Sequence, residues 1–314
     1  YGDHRDLHSF PTRRSSDLAS FRQPPMPDWQ IDVAREQLPT TEPAFNEWPQ
    51  KSGGYHPEFY RLDDCFLIRF LGLADFFVSQ NADKINTRPA PGIAPELVEE
   101  VYQNLVLPLA LSQQRQLVFH ASAVEIDQCS VVFMADSGTG KSTLAADFAT
   151  NGYRFLADDC VWLNKQPSGF HVMPGHPSLR IWEDTFETLK LSFSDIGATK
   201  NSIGKWQLGS SQADSHSQFH CAVARPLKHV YFLEKNPADE IEIKSVTTQE
   251  AVVGLLSHRF LLDVTNKAIL SNDIKSISAL ASASACFRLC VPNNFDALPD
   301  IRSRIVAHTN GKPL

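Results

Sequence analysis

The sequence predicts a mixed α/β fold of the α+β kind, a small β-rich N-terminal subdomain ahead of a larger core, and three observations carry that reading. Short β-prone runs at 66–70, 74–78 and 84–88 are split by Gly72 and by Asn81-Ala82-Asp83, as the strands of a small antiparallel sheet would be. Two further runs, 117–126 and 130–134, flank Asp127-Gln128-Cys129 and predict a hairpin. Beyond it, apolar runs of strand length at 153–158, 227–233, 240–245 and 287–291 alternate with helical patterns at 141–151, 247–260, 274–285 and 298–308.

Composition bounds the function. The chain has 314 residues, enough for one large domain or two small ones, and its 42% hydrophobic content is that of an ordinary soluble globular protein. A net charge of −7 gives no broad basic field, which argues against nucleic acid or an anionic membrane as partner. Cys65, Cys129, Cys160, Cys221, Cys286 and Cys290 are scattered without C-x-x-C spacing, and read as reduced packing residues in a cytoplasmic protein. No apolar run approaches the roughly 18 residues of a membrane span.

Taken in order, residues 1–18 are polar, aperiodic and foreign in style to the rest of the chain; they resemble a translated sequencing adapter and stand outside the fold. Residues 19–55, rich in Pro and polar side chains, predict an irregular lead-in. After the small sheet, Pro95 with Glu96, Glu99 and Glu100 opens a helix whose apolar face is Val98, Val101, Tyr102, Leu105 and Leu109, kinked or shortened at Pro108. The predicted units are thus 1–18, 19–113 and 114–314.

The stretch 133–159 organises the larger unit. Asp136-Ser137-Gly138-Thr139-Gly140-Lys141-Ser142-Thr143 joins a β-prone run to a helix-prone one, the strand–loop–helix context of a phosphate-binding P-loop. Gly138 and Gly140 let backbone amides turn toward a phosphate; Lys141 would reach the β- and γ-phosphates, and Ser142 would ligate Mg²⁺. Ala135 replaces the first glycine of that motif, the one farthest from the phosphates. A helix over 141–151 descends about 16 Å, ended by Asn151-Gly152, and a strand over 153–158 climbs a similar distance. Asp158 and Asp159 are thereby returned to the level of the loop, pointing to opposite faces. One would bind Mg²⁺ or its water and the other take a proton from an attacking hydroxyl, and the spacing leaves open which does which. In a hairpin centred near Gln128, His120 falls opposite about residue 136, within two residues, beside the loop.

Downstream, Arg180 reads as a surface arginine, with a contact to a phosphate or a substrate carboxylate as the alternative; 186–191 predicts a short helix. The polar stretch 192–218 predicts a mobile loop carrying Lys205-Trp206. Thr247-Thr248-Gln249-Glu250 is a capping box; His258 and Arg259 read as surface residues.

His120-Ala121-Ser122-Ala123-Val124, the loop 136–142 and the run Gly152-Tyr153-Arg154-Phe155-Leu156-Ala157-Asp158-Asp159 resemble the catalytic domain of HPr serine kinase/phosphorylase. That family has a histidine shortly before a D-S-G-x-G-K-S loop and an A-D-D triplet after the helix, on a nucleotide-binding core shared with phosphoenolpyruvate carboxykinases. The resemblance implies such a core here, with ATP and Mg²⁺ as cofactors and residues 136–143 holding the nucleotide. It implies Ser142 and Asp159 at the metal, Asp158 as base, Lys141 on the phosphates and His120 as helper. Lys205 is similar in position to a lysine that closes over the transferred phosphate. The acceptor it implies is a serine on a protein or peptide, and the family also suggests a homo-oligomer. Two departures stand out: Thr143 replaces a glutamate, and the glycine-rich I-R-G-L-G-I signature has no copy. A small-molecule kinase and a non-catalytic nucleotide-binding sensor remain alternatives.

Overall fold

The computed structural model describes residues 26–47, 56–191, 199–200, 204–208, 219–236, 238 and 240–311; the extension 1–18 and most of the stretch 192–218 lie outside the described residues. Among the described residues the protein is a mixed α/β structure with three sheets.

The first sheet contains β1 (Asp28–Ile31), β2 (Asn46–Glu47), β3 (Pro57–Arg61), β4 (Cys65–Phe70), β5 (Ala74–Ser79) and β6 (Lys84–Pro89), in the order β1-β6-β5-β4-β3-β2. Two expectations are corrected here. The Pro-rich lead-in supplies two strands, and β1 runs parallel to β6, so the sheet is not wholly antiparallel. What fixes β1 is not periodicity but a single anchor: the Trp29 indole donates to Thr87 Oγ1 at 2.8 Å and stacks on Tyr102 with centroids 3.8 Å apart. Tyr102 lies in a π-helical turn (Tyr102–Val106) between α1 (Pro95–Val101) and α2 (Leu107–Gln113), and Pro108 stands in the first turn of α2. The helical path runs unbroken from 95 to 113, so Pro108 supplies no N–H to the turn before it, and the π-turn widens the helix where its ring would clash.

The second sheet has nine strands: β7 (Leu117–Phe119), β8 (Ala121–Ile126), β9 (Cys129–Met134), β10 (Arg154–Ala157), β11 (Val161–Gln166), β12 (Gly169–Val172), β16 (Arg225–Lys235), β17 (Glu242–Ser245) and β18 (Ala285–Val291). Its centre, β9-β16-β18, is parallel; β9 and residues 230–233 of β16 send side chains into cores on both faces, which is why these parts read as apolar runs. Phe133 and Val131 face one core with α3 (Lys141–Thr150) and α7 (Leu298–Thr309). Val132 and Met134 face the other, with α5 (Thr248–Ser257) and α6 (Lys267–Ala283). A third, small sheet joins β13 (Leu179–Ile181) to β15 (Trp206–Leu208) and β14 (Thr199–Lys200), just before and after α4 (Glu183–Thr188) in the chain. Strands β14 and β15 correct the expectation that 192–218 is loop throughout.

The hairpin β8–β9 pairs Ala121 with Met134 and Ile126 with Cys129, and Asp127 and Gln128 both take positive φ at its two-residue turn. The expected single strand over 117–126 is divided at His120, so that β7 pairs with β11 while β8 pairs with β9 and β10. Helix α6 begins seven residues earlier than periodicity suggests, because the Asn266 side chain accepts from the amides of Ala268 and Ile269. Arg259 is no surface residue: its side chain is fully buried, paired with Asp273 at 3.1 Å and donating to the carbonyls of Val118 and Gln116. One core cluster spans the predicted boundary near 113, joining Phe66 and Val101 to Val118, Trp162 and Phe260. No helix among the described residues is long and apolar enough to cross a membrane.

Candidate functional site

Strand β9 ends at Met134, and the chain reaches α3 through a loop whose crest, Asp136 to Gly138, is exposed. Gly138 (φ 83°) and Gly140 (φ 113°) take left-handed conformations that a side chain would oppose. Gly140 caps α3 without any side-chain bond, so no side chain of the cap competes for the amides of the first turn. A helix N-terminus presented by a glycine turn is suited to an anion.

Lys141 is only 5% exposed, and its Nζ donates to the carbonyls of Ala135 at 2.7 Å and Asp136 at 3.2 Å. Burial lowers its pKa, opposed by the charges of Asp159, Asp158 and Asp136. Strand β10 brings the carboxylates alongside, as the descent and climb of the chain require. Asp158 Oδ1 accepts from Ser142 Oγ at 2.9 Å and from Ser122 Oγ at 2.6 Å, while Oδ2 accepts from the Arg180 amide at 3.2 Å. Burial and the neighbouring Asp159 raise the pKa of Asp158. Asp159 behaves oppositely. It takes φ 61° and pairs with the Arg180 guanidinium, whose other nitrogen lies 3.4 Å from Glu100 Oε1. Burial favours its protonated form but is outweighed by Arg180, His120 and Lys205, which together hold it near 2.

His120 sits in the break between β7 and β8. Its backbone N–H donates to the His258 carbonyl at 2.7 Å, and its Nδ1 lies 3.2 Å from the Asp159 carbonyl oxygen. A carbonyl only accepts, so Nδ1 carries the proton and Nε2 keeps its lone pair. Burial and the Lys141 charge push the imidazole down to about 4, against the pull of Asp159. The ring is therefore neutral at pH 7, and between about 6.5 and 4 the unfolded chain binds the proton better than the fold does. Stability should fall with pH across that window. Carbon-detected NMR titration of His120 should give a midpoint near 4; a midpoint near 6.5 contradicts the buried geometry.

The structure therefore gathers His120, Lys141, Ser142, Asp158 and Asp159 around the loop 136–140. Thr143 instead bonds Thr185 Oγ1 at 3.0 Å, tying α3 to α4. Further residues complete the group. Ser122 lies in the His120–Val124 motif without a predicted role, and Glu100 reaches in from α1. Arg180, expected at the surface, has a side chain only 12% exposed and buttresses both aspartates; strand alternation turns it away from the face of buried Leu179 and Ile181, and the carboxylates that meet it there are not legible from its neighbours. His258 is likewise half-buried beside His120. Lys205 lies with Nζ 4.9 Å from the Trp182 ring centroid, near enough for its charge to act on Asp159 and Lys141. Among the described residues no three His, Cys, Asp or Glu converge on a metal position. Ser142 with one or two carboxylates is nevertheless the oxygen set that Mg²⁺ uses when phosphates and water complete its shell.

On this mixed α/β structure a buried strand delivers a glycine turn, a helix N-terminus, a lysine and paired aspartates to one place. Relatives that match part of the chain are named as kinases. HPr kinase/phosphorylase of Prosthecochloris aestuarii is 35% identical over 65 residues, covering 21% of this chain and 18% of that protein. HPr kinase/phosphorylase of Chlorobium phaeobacteroides is 38% identical over 64 residues, covering 18% and 19%. The chain thus spans about a fifth of the length of these relatives, and over that segment it is HPr-kinase-like. The HPr(Ser) kinase/phosphatase of Coxiella burnetii superposes with a TM-score of 0.33 at 11% identity, over 62% of this chain and 97% of that one. No protein-family model matches the chain.

Proposed function

We propose that this protein is an ATP- and Mg²⁺-dependent phosphotransferase resembling HPr serine kinase, built on a P-loop nucleotide-binding core and acting on a serine hydroxyl of a protein or peptide. The observation that carries the reading is the Asp158 carboxylate, hydrogen-bonded to Ser142 at 2.9 Å on the helix that leaves the glycine loop. The amides of residues 137–142 bind the nucleotide phosphates, and Lys141 leaves the Ala135 and Asp136 carbonyls to meet the γ-phosphate. Ser142 and Asp159 would hold Mg²⁺, which would supply positive charge against the phosphates. Asp158 takes the proton of the acceptor hydroxyl while the acceptor oxygen bonds the γ-phosphorus and the bond to the β-phosphate oxygen breaks, releasing ADP. A raised pKa suits Asp158 to that work better than Asp159, which Arg180 holds ionised. His120, whose Nδ1 faces the Asp159 carbonyl, keeps its Nε2 lone pair for the helper's part. The N-terminal sheet unit flanks this core and steadies Arg180 through Glu100.

Binding is tested by thermal unfolding. Mg-ATP well above its dissociation constant should raise the midpoint by several degrees, and EDTA should remove most of the shift. An unmoved midpoint at millimolar Mg-ATP contradicts the reading.

A further inference from the structure

Resting on the phosphotransferase reading, we infer that the cavity between α5 and the ends of β9 and β16 seats the acceptor chain, and that it selects a polypeptide with a lysine or arginine close to the acceptor serine. The cavity has a volume of about 620 Å³, within the range of pockets that hold a ligand. Its own lining joins it to the phosphate loop. Asp136 is part of that lining, and the Asp136 carbonyl accepts from Lys141 Nζ at 3.2 Å. His258 is another part, and its carbonyl accepts from the His120 N–H at 2.7 Å. A chain lying in the cavity therefore runs up to the first residues of the loop, next to the carbonyls that hold Lys141 and His120.

Floor and rim differ in character. Met134 and Phe232 lie along the floor, and Val253, 66% exposed on α5, carries the apolar surface out to the mouth. The wall is preformed: a side chain at Gly254 would begin 2.6 Å from the Phe232 ring, so α5 rests directly on the strand. The rim is acidic. Asp136, Glu234 and Glu250 stand there with Arg288, whose guanidinium lies 3.2 Å from Glu234 Oε1 and 3.8 Å from Glu250 Oε1. Carboxylates outnumber guanidiniums among the described residues of this rim, which leaves negative charge for an incoming cation. Burial and the Lys141 charge lower the pKa of His258, so it adds no positive charge at neutral pH. An apolar floor under an acidic rim suits a lysine or arginine, which lays its stem on apolar surface and keeps its charged head at the polar edge. The same rim repels an acidic segment or the phosphates of a nucleotide.

The test is transfer from γ-labelled Mg-ATP by the full chain into serine peptide libraries, in which each position flanking one fixed serine holds in turn Lys, Arg, Ala or Glu. Wild type should label the basic members at least ~3-fold more efficiently than the acidic ones at positions near the serine, the scale of a half-exposed ion pair, and high salt should shrink the margin. Glu234→Gln should narrow that preference. Val253→Lys, a change at an exposed helix position, should lower kcat/KM for the basic members through KM, with kcat kept. Both variants should bind Mg-ATP as wild type does in calorimetric titration, which shows that they are folded. Label spread without regard to charge, label favouring the acidic members, or a basic preference that survives both substitutions overturns the inference and leaves the phosphotransferase reading standing. Label on no peptide, from a protein that binds Mg-ATP, removes the peptide-acceptor reading and this inference with it.

Discussion

Lys141→Ala is expected to lower phosphoryl transfer by about 10³-fold and to weaken Mg-ATP binding, since the ammonium meets charge that grows as the γ-phosphoryl group leaves. About 10³-fold corresponds to roughly 4 kcal/mol of transition-state stabilisation, within reach of a cation working in a water-poor site. Lys141 is buried on the inner side of the loop, and in the unliganded protein its charge is satisfied by the Ala135 and Asp136 carbonyls. It must therefore exchange those acceptors for phosphate oxygens, a change of partners within one side chain's reach. Lys141→Arg should fail to rescue, because a planar fork does not fit the space that a compact ammonium occupies. Steady-state kinetics with unfolding controls on both variants checks this; transfer reduced less than tenfold in folded Lys141→Ala contradicts it.

Asp158→Asn is expected to leave Mg-ATP binding within a few-fold of wild type and to cost about 10²- to 10⁴-fold in transfer, the range for losing a positioned proton acceptor. The amide oxygen can still accept from Ser122 and Ser142, so the local frame persists without the base. Because burial and Asp159 raise the pKa of Asp158, the fold holds a proton there more tightly than the unfolded chain does. Its contribution to stability is present below the ordinary carboxylate pKa and is lost as pH rises through the raised one. At neutral pH the ionised Asp158 is therefore a cost, and Asp158→Asn should unfold at a temperature no lower than wild type. For the same reason the acid limb of the wild-type rate should lie above the usual carboxylate range and vanish in the variant. Asp159→Asn should behave differently: it removes the partner of Arg180 and should raise the Mg²⁺ requirement. Identical metal dependence in the two asparagine variants contradicts the division of roles.

Local chemistry makes much of this site readable. A two-residue turn between 126 and 129 fixes the hairpin register, and its continuation puts His120 across from Ala135. The lengths of α3 and β10 are enough to return Asp158 to the loop, because rise per residue differs about twofold between helix and strand. What escapes sequence reading is non-local. Glu100 and Arg180 come from a helix and a small separate sheet, and only packing brings them together beside Asp159. Arg180 and Arg259 escape for one reason: a charged side chain belongs at the surface unless a buried carboxylate awaits it, and here one awaits each. Trp29 shows the same limit for the fold, since the strand it anchors has partners more than fifty residues away.

The decisive experiment for phosphoryl transfer is passage of label from γ-labelled ATP with Mg²⁺ into a host-cell extract and candidate peptides. Wild type would be run beside Lys141→Ala and Asp158→Asn. The account predicts label on a discrete acceptor serine with wild type, identified by mass spectrometry and lost with both variants. A wild-type protein that binds Mg-ATP yet labels no protein or peptide would contradict it, and would turn the assignment toward a nucleotide sensor or a small-molecule kinase.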